Sequence, residues 1–138
     1  MRALVQRVSE AAVDVDGRRV SAIGPGLLVL LGVTHADTAE VADRMAAKLA
    51  ALRIFEDGDG RMNEPLGERE VLCVSQFTLY GDASRGNRPG FADAAPPEDA
   101  EPLYERVCER LGARRGRFGA RMAVSLVNDG PVTILIEL

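Results

Sequence analysis

The chain is 138 residues long and 46% hydrophobic, which suits one domain around one core and is too apolar for a disordered segment. Aromatic residues make up only 4% and tryptophan is absent, so that core has to be built from Leu, Val, Ile, Ala and Met. A net charge of −4 argues against a protein that coats long stretches of nucleic acid; any such contact has to be local.

Residues 2–8 are apolar and β-compatible, and 11–16 alternate, with Ala11, Val13 and Val15 on one side and Asp14 and Asp16 on the other. Asp16-Gly17 is a hairpin signal, and Val20 to Ile23 continues as a strand. After the Gly24-Pro25-Gly26 turn, Leu27–Val33 is apolar on both faces, as a buried central strand is. Asp37-Thr38-Ala39-Glu40 has capping-box spacing, with Asp37 in the capping place. Val41, Met45, Leu49 and Leu52 then recur at helical spacing, which predicts a helix over 38–53. Residues 56–70 read as a loop with a short strand near Met62, and Val71–Tyr80 as a second apolar strand. Residues 81–97 are irregular and long enough to suggest function. Pro97 to Leu111 reads as a second helix, with Leu103, Val107 and Leu111 on one face and Gly112 past its end. Met122–Val127 and Val132–Leu138 close the chain as strands around an Asn128–Pro131 turn.

These elements predict a single α/β domain spanning residues 1–138, made of β-sheets with two main helices packed on one side. A sheet face left without helices is a place for an oligomer interface. Cys73 and Cys108 lack metal-type spacing and read as buried free thiols. The longest apolar run, Leu27–Leu31, is too short to span a bilayer, and the first residues have no signal-peptide pattern, so a soluble, cytoplasmic protein with no membrane contact is expected.

The chemistry available is sparse. His35 is the only histidine, and it precedes the first helix with nothing to place it beside a serine. No set of His, Cys and carboxylates has ligand spacing, so neither metal nor cofactor is expected. Two motifs remain. In SQFTLYG (75–81), alternation puts Ser75, Phe77 and Leu79 on one strand face and Gln76, Thr78 and Tyr80 on the other; by pattern this is a strand with one solvated side. NDGPVT (128–133) is by pattern a turn, in which Gly130-Pro131 can be cis or trans. Lys48 is the only lysine among 17 basic residues; arginine suits bidentate phosphate contacts, but a coding bias explains the skew more cheaply.

Taken in order, MRALVQRV (1–8), SQFTLYGD (75–82), RGNRPGF (85–91), RFGARM (117–122) and NDGPVT (128–133) resemble the D-aminoacyl-tRNA deacylase family along the whole chain. The resemblance implies a homodimer with active sites at the interface, acting on the 3′ end of aminoacyl-tRNA. The reaction would be hydrolysis of the ester joining a D-amino acid, or glycine, to the terminal adenosine. Gly130 and Pro131 would form a Gly-cisPro unit that reaches into the partner's pocket and excludes L side chains, with Arg7 holding it and Asn128 beside it. Ser75, Gln76, Phe77 and Thr78 would form the other, catalytic wall. Phe118 and Met122 would hold the adenine; Met122 as plain core packing stays open. A run of arginines from Arg106 to Arg121 would meet acceptor-stem phosphates or be a solvated face paired with Glu105 and Glu109. The implied chemistry is substrate-assisted, with the 2′-OH of the terminal ribose activating water and backbone N–H groups of Phe77 and Thr78 receiving the oxyanion. The alternatives are a related deacylase that clears a mischarged L-amino acid and a non-catalytic module that binds the tRNA 3′ end.

Overall fold

The computed structural model describes all 138 residues, Met1–Leu138. Strand β1 (Arg2–Val15) is one element, where the pattern predicts two. Val8 pairs with Asn128 and Glu10 with Val127, so β1 carries one extra residue between two paired stretches. The bulge reverses the facing of the side chains. Before it, Ala3 and Val5 look toward the helices; beyond it, Ala11, Val13 and Val15 look into a second core on the other face.

The Asp16-Gly17 turn, both residues at positive φ, leads into β2 (Arg18–Ile23). Then come β3 (Gly26–Gly32), α1 (Ala39–Ala51), a small hairpin of β4 (Phe55–Glu56) and β5 (Met62–Glu64), and β6 (Glu70–Ser75). A one-turn 3-10 helix at Phe77–Tyr80 is followed by α2 (Pro97–Leu111), β7 (Arg114–Arg115) and β8 (Ala123–Glu137). The main sheet runs β2-β1-β3-β6-β7, with β8 on the other side of β1. β3 and β6 are parallel.

Both helices pack on one face, as expected. Leu27, Val29 and Leu31 from the sheet meet Met45 and Leu49 from α1 and Val107 from α2, all fully buried. Each such burial stabilises the fold by about 1.5–3 kcal/mol. The opposite face curls on itself. The Ser21 hydroxyl donates to the Arg115 carbonyl (2.7 Å), tying β2 to β7 around Val13, Leu28, Leu72 and Val74.

Helix α2 has the predicted bounds: Pro97 opens it, and Gly112 ends it in the left-handed conformation at φ 60°. For α1 the capping residue differs from expectation. Thr38 is the cap, its hydroxyl accepting from the Val41 N–H. Asp37 is occupied elsewhere, accepting from the Thr34 N–H (2.8 Å) and pairing with the Met1 ammonium (2.8 Å). The two helices are clamped together by Asp43, which takes both Arg106 (2.7 Å) and Arg110 (3.1 Å). Both cysteines are free and buried, and the Tyr104 hydroxyl donates to the Cys73 carbonyl (2.8 Å). No helix is long and apolar enough to cross a membrane.

Candidate active site

Parallel strands end at a natural binding position, the crevice outside their carboxyl ends. Here β3 and β6 end at Gly32 and Ser75, and a cavity of about 540 Å³ opens there, lined by Val33, Ser75 and Gln76. Its remaining walls come from the Phe91–Ala100 segment and from the turn leading into β8, which supplies Phe118 and Met122. Eleven of its fifteen lining residues are hydrophobic, and none of the fifteen side chains is titratable.

The segment after Ser75 is not the strand that alternation predicts. The Gln76 N–H still bonds the Leu31 carbonyl (2.8 Å), but the chain then winds into the 3-10 turn. Gly32 allows this. A Cβ there would lie 3.1 Å from the Gln76 carbonyl oxygen, 3.1 Å from Leu79 Cβ and 3.2 Å from the Tyr80 ring. The two-face division of 75–80 is therefore wrong. Phe77 is exposed (55%) and stands edge-on to Phe91, ring centres 5.2 Å apart, while Tyr80 is buried. Leu79 and Gly81 donate back to Gln76 and Thr78, and Gln76 offers no side-chain cap, so Phe77 and Thr78 hold the first N–H groups of the turn.

Thr78 is exposed, and its hydroxyl oxygen accepts from the Gln76 side-chain amide. An amide cannot deprotonate it. Burial, helped by Asp37 and opposed by Arg2, pushes the neighbouring Tyr80 hydroxyl up to about 12, so it stays protonated. His35 is tied through Nε2 to the Ala92 carbonyl (2.7 Å). No three His, Cys, Asp or Glu side chains gather as a metal-binding group would require.

Met122 sits between core and cavity. It packs against the inner core and lines the cavity, and its sulfur accepts from the Arg117 N–H (3.3 Å). Gly116 makes room for it: a Cβ there would come 2.6 Å from that sulfur. Phe118 leans on Tyr104, ring centres 5.8 Å apart.

The structure thus brings Ser75, Gln76, Phe77, Phe118 and Met122 together around one cavity, with Thr78 just outside its lining. Arg7, Asn128, Gly130 and Pro131 form a separate constellation. Asn128–Pro131 is no turn between two strands. β8 stays paired with β1 on both sides of it, with Asn128 opposite Val8 and Thr133 opposite Gln6, so Asp129–Val132 bulge out against the single residue Arg7. Asn128 clips the bulge shut: its side chain donates to the Thr133 hydroxyl (3.0 Å) and accepts from the Val132 N–H (3.2 Å). Arg7, 7% exposed, donates to the Asp129 carbonyl (3.1 Å) and the Ile54 carbonyl (2.7 Å). Gly130 adopts φ 124°, and a Cβ on it would lie 2.8 Å from the Arg7 guanidinium. The Gly130-Pro131 peptide is cis, and both residues are exposed.

Residue-level reading missed the cavity's third wall. Phe91 belongs to the RGNRPGF motif, but Ala94, Ala95 and Ala100 carry only smallness as a signal; they leave the volume open.

Fold and site together define a small α/β domain with an uncharged cavity at the ends of parallel strands and a rigidly held backbone bulge elsewhere on its surface. The comparisons with known proteins go further. Residues 4–137 match the model of the D-Tyr-tRNA(Tyr) deacylase family, and the chain belongs to that family. It is 59% identical over 144 residues to a D-aminoacyl-tRNA deacylase of Myxococcus xanthus (strain DK1622), covering 99% of this chain and 94% of the relative. It is 60% identical over 144 residues to the enzyme of that name from Anaeromyxobacter dehalogenans (strain 2CP-C), covering 99% and 97%. A solved structure of the c-Myc DNA Unwinding Element Binding Protein superposes with a TM-score of 0.94 at 43% identity, over 100% of this chain and 99% of that one.

Proposed function

We propose that this chain hydrolyses the ester between a D-amino acid and the 3′ adenosine of tRNA in the cytoplasm, as a homodimer whose active sites lie at the interface. The observation that carries the reading is the cavity lined without a single titratable side chain, in a chain of the deacylase family. Such a cavity can bind an adenosine and an aminoacyl group but offers no side-chain base. The substrate's own 2′-OH then activates the water, and the Phe77 and Thr78 N–H groups receive the charge that develops on the carbonyl oxygen. Ser75 and Gln76 shape the wall, and Phe118 and Met122 present surface for the adenine.

Distance supports the dimer. Val124 lines the cavity, and Gly130 lies six residues further along the strand, about 20 Å at roughly 3.3 Å per residue. The bulge is on the far part of β8 from its own cavity; it reaches a cavity only in a second copy. The outer edge of β8 is unpaired along fifteen residues, with Val127 and Leu135 half exposed, and an edge of that length needs cover. There the Gly130 and Pro131 carbonyls would occupy the volume an L side chain needs, while a D substrate points elsewhere and glycine has nothing to clash.

The test is deacylation of matched D-Tyr-tRNA and L-Tyr-tRNA. The D form is expected to turn over and the L form to survive. Equal rates would remove the stereochemical sieve, L-selective turnover would favour a deacylase for mischarged L-amino acids, and tight binding without turnover would favour a 3′-end-binding module.

A further inference from the structure

The arginines on and just after α2 differ in their partners from those on the segments next to the cavity. Along α2 and just after it they are neutralised: Arg106 and Arg110 by Asp43, Arg114 by Glu70 (3.2 Å) and Arg115 by Glu105. Around the mouth of the cavity they are not. In the turn leading to β8, exposure alternates: Phe118, Ala120 and Met122 are half-buried against the cavity, whereas Arg117 and Arg121 are exposed and make no ion pair. The turn is held by the Ala120 N–H donating to the Arg117 carbonyl (3.1 Å) and by Gly119 at φ 75°.

On the opposite rim, Asp82 and Gly90 exchange two backbone hydrogen bonds (2.8 and 2.9 Å) and close off a loop that carries Arg85 and Arg88, also exposed and without an ion pair. The base of that loop abuts Phe91, whose ring would meet a Cβ on Gly81 at 3.0 Å. Of the carboxylates on this segment, Asp82 is held below the usual aspartate range by the Ser84 hydroxyl and by the Ser84 N–H (2.9 Å); Asp93 is exposed.

We infer that Arg85, Arg88, Arg117 and Arg121 form a phosphate-gripping rim for the single-stranded RNA that leads into the cavity. The inference rests on the deacylase reading and adds to it. The apolar cavity has no means of attracting a polyanion, and four unpaired guanidiniums on two sides of its mouth do. They bind the backbone without reading bases, so the rim adds affinity for tRNA irrespective of sequence.

The experiment compares D-tyrosyl-tRNA with D-tyrosyl-adenosine, which carries the same ester and no phosphate. A variant with Arg85→Ala, Arg88→Ala, Arg117→Ala and Arg121→Ala is measured beside an Arg106→Ala/Arg110→Ala control. The rim variant should lose at least 10-fold in kcat/KM on the tRNA ester and keep wild-type turnover of the nucleoside ester. Its dependence of log kcat/KM on log salt should flatten by about 2–3, at roughly 0.7 per single-strand phosphate contact. The control should keep the wild-type slope. Binding of uncharged tRNA across the same salt series gives the slope without turnover. A rim variant with the wild-type slope, or one that loses both esters equally, overturns the inference. Wild-type protein that binds tRNA with this salt dependence but cleaves neither ester overturns the deacylase reading and leaves the rim standing.

Discussion

The cavity and the Arg7 bulge are built on opposite physical plans. The cavity is a surface made of small and aromatic side chains with no charge. The bulge is a backbone projection fixed at every point: Arg7 holds the Asp129 carbonyl, Asn128 clips Thr133 to Val132, and Gly130 is hemmed in by the guanidinium. One region is an uncharged hollow; the other is a projection pinned at its base by Arg7 and Asn128. A sieve for handedness needs both, a tolerant pocket and an unyielding obstacle, and in the dimer proposed above one copy would supply each.

Breaking the obstacle should have the largest effect. Gly130→Ala places a Cβ where only 2.8 Å separates it from Arg7, at a φ that L residues rarely adopt. The bulge must shift, at a stability cost of about 1–3 kcal/mol. Discrimination between D- and L-Tyr-tRNA should collapse, read as the ratio of their kcat/KM values, while circular dichroism stays native. Arg7→Met comes next. It leaves the Ile54 and Asp129 carbonyls without their donor and should destabilise the domain by about 2–4 kcal/mol in urea unfolding. The smallest effect belongs far from either region. Asp43→Asn loosens the α1–α2 clamp and should lower Tm slightly at neutral pH with unchanged discrimination. The Arg106 hydrogen bond holds the Asp43 carboxyl below its usual range, so its contribution is complete above about pH 4 and is lost as the pH falls through the lowered value. The gap between Asp43→Asn and wild type should close in that acid range.

Much of the scaffold is legible in the sequence because it is local. Pro97 and Gly112 bracket α2, and Asp16-Gly17 fixes its hairpin. What escapes pattern reading is set by partners distant in the chain. Ser75–Tyr80 looks like a strand until Gly32, more than forty residues earlier, admits the 3-10 turn. Asn128–Pro131 looks like a turn until Arg7, over a hundred residues away, pins it as a bulge. The family motifs mark both places; only the packing explains why the chain departs from its local preference there.

The contrast between a passive surface and a fixed obstacle is tested most directly at the ribose. Single-turnover deacylation of D-Tyr-tRNA ending in adenosine or 2′-deoxyadenosine should be measured with wild-type protein and with Thr78→Ala. Loss of most turnover on the deoxy substrate, with Thr78→Ala within about threefold of wild type on the normal one, is the predicted result. Normal turnover of the deoxy substrate together with an inactive Thr78→Ala would contradict it and make the threonine the nucleophile.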